Sequence, residues 1–191
     1  VFFCAVSAPT AAGILTDMDK PDKNATGTSN AIPVSKIIDL AQATTPVKKI
    51  GLIYSGNEDN ATNTVKQCEE YLKSINVEYV EKTAASSNDV ETATNALIAE
   101  EICNEKKIPT YCSSATTVAS GCFATLAIDD KGIGKKTVDI AMDYVNGKEV
   151  ADIPAQVVGI DYCSVNKSAM KTLGISQDNI KTDYKLNVIE N

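Results

Sequence analysis

The sequence predicts an α/β fold with parallel sheets flanked by helices. Strand-like and helix-like runs alternate along the 191 residues, the pattern of α/β folds. Several of the strand-like runs are continuously apolar, as buried strands are. Loops rich in small polar residues follow three of them, leading toward helices.

Residues 1–6 read as a buried strand ending in the loop Ser7-Ala8-Pro9, and the polar stretch 17–30 reads as a connection. A helix starts near Pro33, a favoured first-turn residue. Val34, Ile37, Ile38 and Ala41 share one of its faces, and Pro46 stops it. Residues 49–54 form a buried-type strand running into Ser55-Gly-Asn57, and the next helix carries Val65, Cys68, Leu72 and Ile75 at amphipathic spacing. Residues 77–81 alternate as a strand. Residues 86–89 cap a further helix, with Asn88 and Glu91 spaced as a capping box. That helix shifts phase, from Val90, Ala93 and Leu97 to Ile98 and Ile102, across Glu100–Glu101.

Residues 108–112 and 123–128 read as strands. Residues 132–145 read as a helix with Val138, Ala141, Met142 and Val145 inward and Gly147 as terminator. Residues 153–160 are extended, and Asn166 caps a short helix ending at Gly174.

Composition narrows the chemistry. The net charge of −7 argues against nucleic acid, which binds proteins through clustered Lys and Arg. The chain has no His, Arg or Trp. Ser–His and Cys–His nucleophile pairs and His-containing zinc sites are therefore closed, as is a bidentate guanidinium grip on an anion. The six cysteines (Cys4, Cys68, Cys103, Cys112, Cys122 and Cys163) match no common zinc spacing and read mainly as small buried hydrophobes. Disulfides are conceivable in an exported protein, but spacing pairs none of them. No metal and no cofactor is expected.

In open α/β sheets, ligands bind beyond the C-terminal ends of strands. Ser7, Ser55 with Asn57, and Ser113-Ser114 occupy such loops. Either they hold a carboxylate together with helix N-termini, or they are turn formers and caps. Thr28 and Ser29 lie in a hydroxyl-rich segment that is a turn or a cleft lining. Asp129, after a strand, either meets a ligand ammonium or caps the next helix. Tyr54, Tyr111 and Tyr162 either stack on an aromatic ligand or pack in the core. An enzyme reading rests on Cys112 as nucleophile, its pKa lowered at a helix N-terminus.

The ordered segments 3–9, 24–29, 49–55 with Asn57, 86–89, 107–113, 124–129, 132–134, 151–154 and 171–175 resemble the tryptophan-type family of ABC transporter substrate-binding proteins. The resemblance implies a type I periplasmic-binding-protein fold, two lobes closing on a ligand. It also implies an extracytoplasmic solute-binding protein of an ABC importer, a cell-surface lipoprotein or periplasmic, that binds an amino acid, aromatic ones included, and catalyses nothing. Its partners would be that ligand and the transporter permease, with membrane contact only through a lipid anchor this chain lacks. By position, Ser7, Thr28, Ser29, Ser55, Asn57, Ser113 and Asp129 would line the cleft. The expected organisation is part of lobe 1 at 1–23, lobe 2 at 24–122, a return to lobe 1 at 123–150, and a hinge crossing with the C-terminal segment at 151–191. The family has most of a first lobe before the segment matching Val1. Between the positions of Glu100 and Glu101 it has a strand and parts of two helices, so the chain reads as incomplete at both places. The alternatives are a small α/β enzyme with a Cys nucleophile and a ligand-sensing domain of the same fold.

Overall fold

The computed structural model describes residues 1–86, 89–90 and 107–190, and wherever strand register is defined the pairing is parallel. The chain divides into two compact units: residues 1–32 with 126–162, and residues 33–125 with 163–190. It passes between them at Ile32–Pro33, Thr125–Leu126 and Tyr162–Cys163.

The first unit is built on a sheet of order β1-β2-β6, from β1 (Phe2–Phe3), β2 (Thr26–Ser29) and β6 (Gln156–Val157). All four β2 residues are buried. Gly27 is required there, because a Cβ would lie 2.0 Å from the Phe3 carbonyl oxygen. Phe3, Leu15 and Ala155 form a core cluster with Val6, Ile14 and Met18 packed on it. The first strand is shorter than expected: Ala5 has a left-handed φ of 56° that ends it.

The long helix of this unit, α4 (Asp130–Val145), buries Ile133 and Ile140. The inward face expected from the sequence is overturned. Val138 is 59% exposed, Met142 46% and Val145 69%. The packed stripe runs through Ile133, Thr137 and Ile140, spaced by four and three residues, and its polar member Thr137 bonds to Thr28 of β2.

In the second unit β3 (Lys49–Tyr54) pairs with β4 (Glu78–Thr83) along its whole length, Lys49 opposite Glu78 and Tyr54 opposite Thr83. Helices α1 (Val34–Thr44) and α2 (Asp59–Ser74) accompany this pair and bury Ile38, Leu40, Ala41, Val65 and Leu72. β3 is half-buried to exposed rather than buried, because among the described residues it pairs with β4 alone. The phase shift at Glu100–Glu101 and the Asn88–Glu91 capping box lie outside the described residues.

A further sheet has the order β5-β7-β8, from β5 (Ala124–Ala127), β7 (Tyr162–Asn166) and β8 (Lys185–Ile189). The unit boundary falls inside β5 and β7. Residues 108–112 contribute a single parallel bridge, Tyr111 to Ala124, in place of the expected strand. Short helices α3 (Ala115–Ala119) and α5 (Lys167–Leu173) complete the unit, α5 ending on Gly174 in the left-handed region. Of the described cysteines only Cys163 is buried. Cys4 is exposed, and Cys68, Cys112 and Cys122 are half-buried. The reading of them as buried hydrophobes is thereby corrected: Cys68 lies mid-helix on a half-buried position of α2, and Cys112 and Cys122 lie in the segments flanking α3. No helix among the described residues is long and apolar enough to cross a membrane.

Candidate functional site

In the first unit the fold brings Ser7, Thr28 and Ser29 together. The Ser29 hydroxyl donates to the Ser7 carbonyl at 3.4 Å and accepts from the Ala31 N–H at 3.2 Å. The Thr28 and Thr137 hydroxyls lie 2.6 Å apart. Thr137 already donates to the Ile133 carbonyl at 3.0 Å, so Thr28 supplies the proton between them. Thr28 also accepts from the Ala5 N–H. Both Thr28 and Ser29 are buried, whereas Ser7 is exposed. The buried pair thus holds the Ser7 loop from beneath. Beside them, half-buried Asn30 keeps its Oδ1 shielded from solvent with no hydrogen-bond partner, a costly arrangement for an amide oxygen.

Asp129, also in the first unit, is the N-cap of α4. Its carboxylate accepts from the Lys131 N–H at 3.2 Å and the Gly132 N–H at 3.0 Å. Its own N–H donates to Asp161 at 2.7 Å. The carboxylate is exposed and retains unused lone pairs. Near it, burial first, and then the negative charge of Asp130, Asp129 and Asp161, push the Tyr162 hydroxyl upward in pKa.

In the second unit Ser55 and Asn57 share the loop at the C-terminal end of β3, half-buried and exposed respectively, and neighbouring Glu58 and Asp59 face solvent. Ser113 is exposed, while Ser114 caps α3, accepting from the Thr117 N–H at 3.3 Å. The three tyrosines differ in setting. Tyr54 donates to Glu81 at 3.3 Å, Tyr111 meets Phe123 edge-on at 5.5 Å, and Tyr162 opens β7. Burial pushes Tyr111 up to about 12. Thr44 and Thr45 moderate that rise without reaching hydrogen-bond geometry.

The lowered pKa that the alternative enzyme reading requires of Cys112 is not found. Its thiol donates to the Ser114 carbonyl at 3.4 Å, and the neighbouring Cys122 first, then burial, raise its pKa rather than lowering it. Among the described residues no cluster of His, Cys, Asp and Glu could hold a metal ion.

The family model described as ABC transporter substrate binding protein matches residues 1–102 and again 95–184. The chain belongs to this family. It is 31% identical over 205 residues to the tyrosine-binding protein of Clostridioides difficile, an alignment that takes in 95% of the chain and 59% of that protein. The chain therefore spans about 59% of the length of that relative. Among solved structures it resembles the ABC domain in complex with L-Trp from Streptococcus pneumoniae (25% identity, 99% of this chain and 71% of that one, TM-score 0.84). It also resembles a conserved domain protein from Vibrio cholerae (27%, 97% and 71%, TM-score 0.83). A ligand-free, open substrate binding protein with adhesive properties from Clostridium difficile matches as well (27%, 97% and 69%, TM-score 0.77). The α/β architecture with parallel sheets expected from the sequence is the one shown. The two family matches overlap at 95–102, and the 205-residue alignment is longer than the chain.

Sequence reasoning missed Asp161, which anchors Asp129, and the orphan acceptor of Asn30. Neither carries a spacing signal, since both acquire their roles through contacts made only in the fold.

Proposed function

We propose that this chain is the extracytoplasmic solute-binding component of an ABC importer, a lipoprotein or periplasmic protein that captures an amino acid and delivers it to a permease. The observation that carries this reading is the kinship with the tyrosine-binding protein across nearly all of the chain. The structure that holds L-Trp supports an aromatic ligand. In this reading the candidate residues supply the polar groups that hold the ligand. Ser7, Ser55, Asn57, Ser113 and Ser114 offer hydroxyl and amide groups to its carboxylate, with Thr28 and Ser29 positioning Ser7. Asp129 and the Asn30 Oδ1 receive its ammonium, an assignment that suits the absence of Arg and His. The protein binds and releases its ligand unchanged and performs no catalysis.

The test uses the full-length gene product and a panel of amino acids, tyrosine and tryptophan first. A ligand present at a hundred times its Kd raises folding stability by about 2.7 kcal/mol, visible as a higher melting temperature. No shift with any amino acid overturns the ligand class. Asp129→Ser keeps an N-cap side chain while removing the charge. It should preserve the unliganded melting temperature and weaken amino-acid binding at least tenfold; unchanged affinity removes Asp129 from the site.

A further inference from the structure

Three non-glycine residues among those described have a left-handed φ: Asn24 at 50°, Asn76 at 55° and Ala5 at 56°. Asparagine enters that region readily, whereas the β-carbon of alanine crowds the following carbonyl oxygen there. Ala5 is therefore the strained position of the three, and it stands where β1 gives way to the loop of Ser7. Strain of this kind persists only where the surrounding structure enforces it, and it gathers at segments that hold ligands. Here β2 and α4 enforce it. The Ala5 N–H donates to the Thr28 hydroxyl at 3.4 Å, and the Val6 N–H donates to the Thr28 carbonyl at 3.2 Å. Thr28 is fully buried, so its hydroxyl depends on protein partners. Each hydroxyl has one proton to give. Thr137 gives its own to the Ile133 carbonyl at 3.0 Å, and Thr28 gives its own to Thr137 at 2.6 Å. The lone pairs of Thr28 are thereby left for the Ala5 N–H.

We propose that Thr137 is a positioning residue: through Thr28 it holds Ala5 in its strained conformation and so fixes the place of the Ser7 loop. Thr137 lies on α4, away from the loop in sequence, and all of these residues belong to the first unit. Without its hydroxyl, the buried Thr28 proton loses its acceptor and the Thr28 rotor is no longer set. The Ala5 N–H then loses a correctly aimed partner, and the strain at Ala5 drives the turn toward an ordinary extended φ. Ser7, two residues on, moves with it. A loop fixed before the ligand arrives costs less ordering on binding than one that must be fixed by the ligand. That Thr137 holds the turn stands on contacts within one unit. That the turn matters to capture rests on the function proposed above, in which Ser7 meets the ligand carboxylate.

The experiment uses the full-length gene product and reads the two parts separately. Thr137→Val keeps the shape of the side chain and removes the hydroxyl, whereas Thr137→Ser keeps the hydroxyl. In the unliganded protein, hydrogen exchange at the Ala5 and Val6 amides should be about fivefold or more faster in Thr137→Val than in wild type. The Ile14 and Ala155 amides, bonded to the Pro9 and Met18 carbonyls of the same unit, should be unaffected, and Thr137→Ser should match wild type throughout. Equal acceleration at all four amides, or none at Ala5 and Val6, refutes the hold on the turn. Affinity for tyrosine and tryptophan is then measured by calorimetry. Thr137→Val should weaken binding about fivefold in the wild-type background but less than about twofold in Ala5→Gly, where glycine leaves no strain to release. The same loss in both backgrounds, or no loss in either, refutes the link to capture. If the wild type takes up neither amino acid, that link falls with the functional reading, and the exchange result alone decides whether Thr137 holds the turn.

Discussion

At the scale of single residues, two buried polar side chains make opposite predictions. Asn166 is 1% exposed. Its Nδ2 donates to the Val118 carbonyl at 2.8 Å and its Oδ1 accepts from the Ala169 N–H at 2.9 Å, so it both caps α5 and satisfies a carbonyl of α3. Asn166→Ala removes the cap and strands that carbonyl, a loss of about 2–3 kcal/mol, measurable by denaturant unfolding. Tyr111 is the converse, for its hydroxyl is buried without a partner. Tyr111→Phe should therefore raise stability by about 1 kcal/mol. Its ionisation adds a pH signature. With the folded value raised from 10.0 to about 12, the stability it contributes is complete below pH 10 and is lost as pH rises through 12. Wild type should weaken over that window more than Tyr111→Phe does, and identical alkaline limbs would exclude burial as the cause.

At the scale of elements, the β1–β2 contact and the α4 face are the sharpest tests. Gly27→Ala forces a methyl against the Phe3 carbonyl, which should cost about 3 kcal/mol in a thermal melt. On α4, Ile140→Ala should cost about 2–4 kcal/mol, while Val138→Lys should change stability by less than about 0.5 kcal/mol. The sequence invites the reverse on α4. Val138, Met142 and Val145 form a plausible apolar stripe, and the true one contains a threonine whose hydroxyl is satisfied by Thr28 across the sheet. Period alone cannot choose between two stripes when the buried one carries a polar member. The Asn166-capped helix is legible because its local signal, an Asn–Gly bracket, agrees with its tertiary setting, whereas the apolar run of β3 reveals the strand but not its exposure. β7 was not legible, since buried Ser164 and Asn166 make a central strand look like a loop. In the candidate site, strand-end loops could be read from serines following apolar runs.

At the scale of the whole molecule, each unit carries candidate ligand-binding residues, and hydrogen exchange tells which of them the ligand uses. Saturating tyrosine or tryptophan should slow the amides around those of Ser7, Asp129, Ser55 and Ser113 that hold it. Protection confined to one unit would mean that this unit holds the ligand alone. The three passages of the chain between units bear on something other than binding. β2 pairs with β6, Thr28 opposite Gln156, so the first unit cannot finish its sheet until well over a hundred later residues have emerged from the ribosome. At 5–20 residues per second the wait is roughly ten seconds, during which β2 has β1 but neither β6 nor α4. The second unit is likewise open until β7 and β8 arrive. Neither half can be completed and set aside before the other, so the nascent chain stays exposed to proteases and chaperones almost to its last strand.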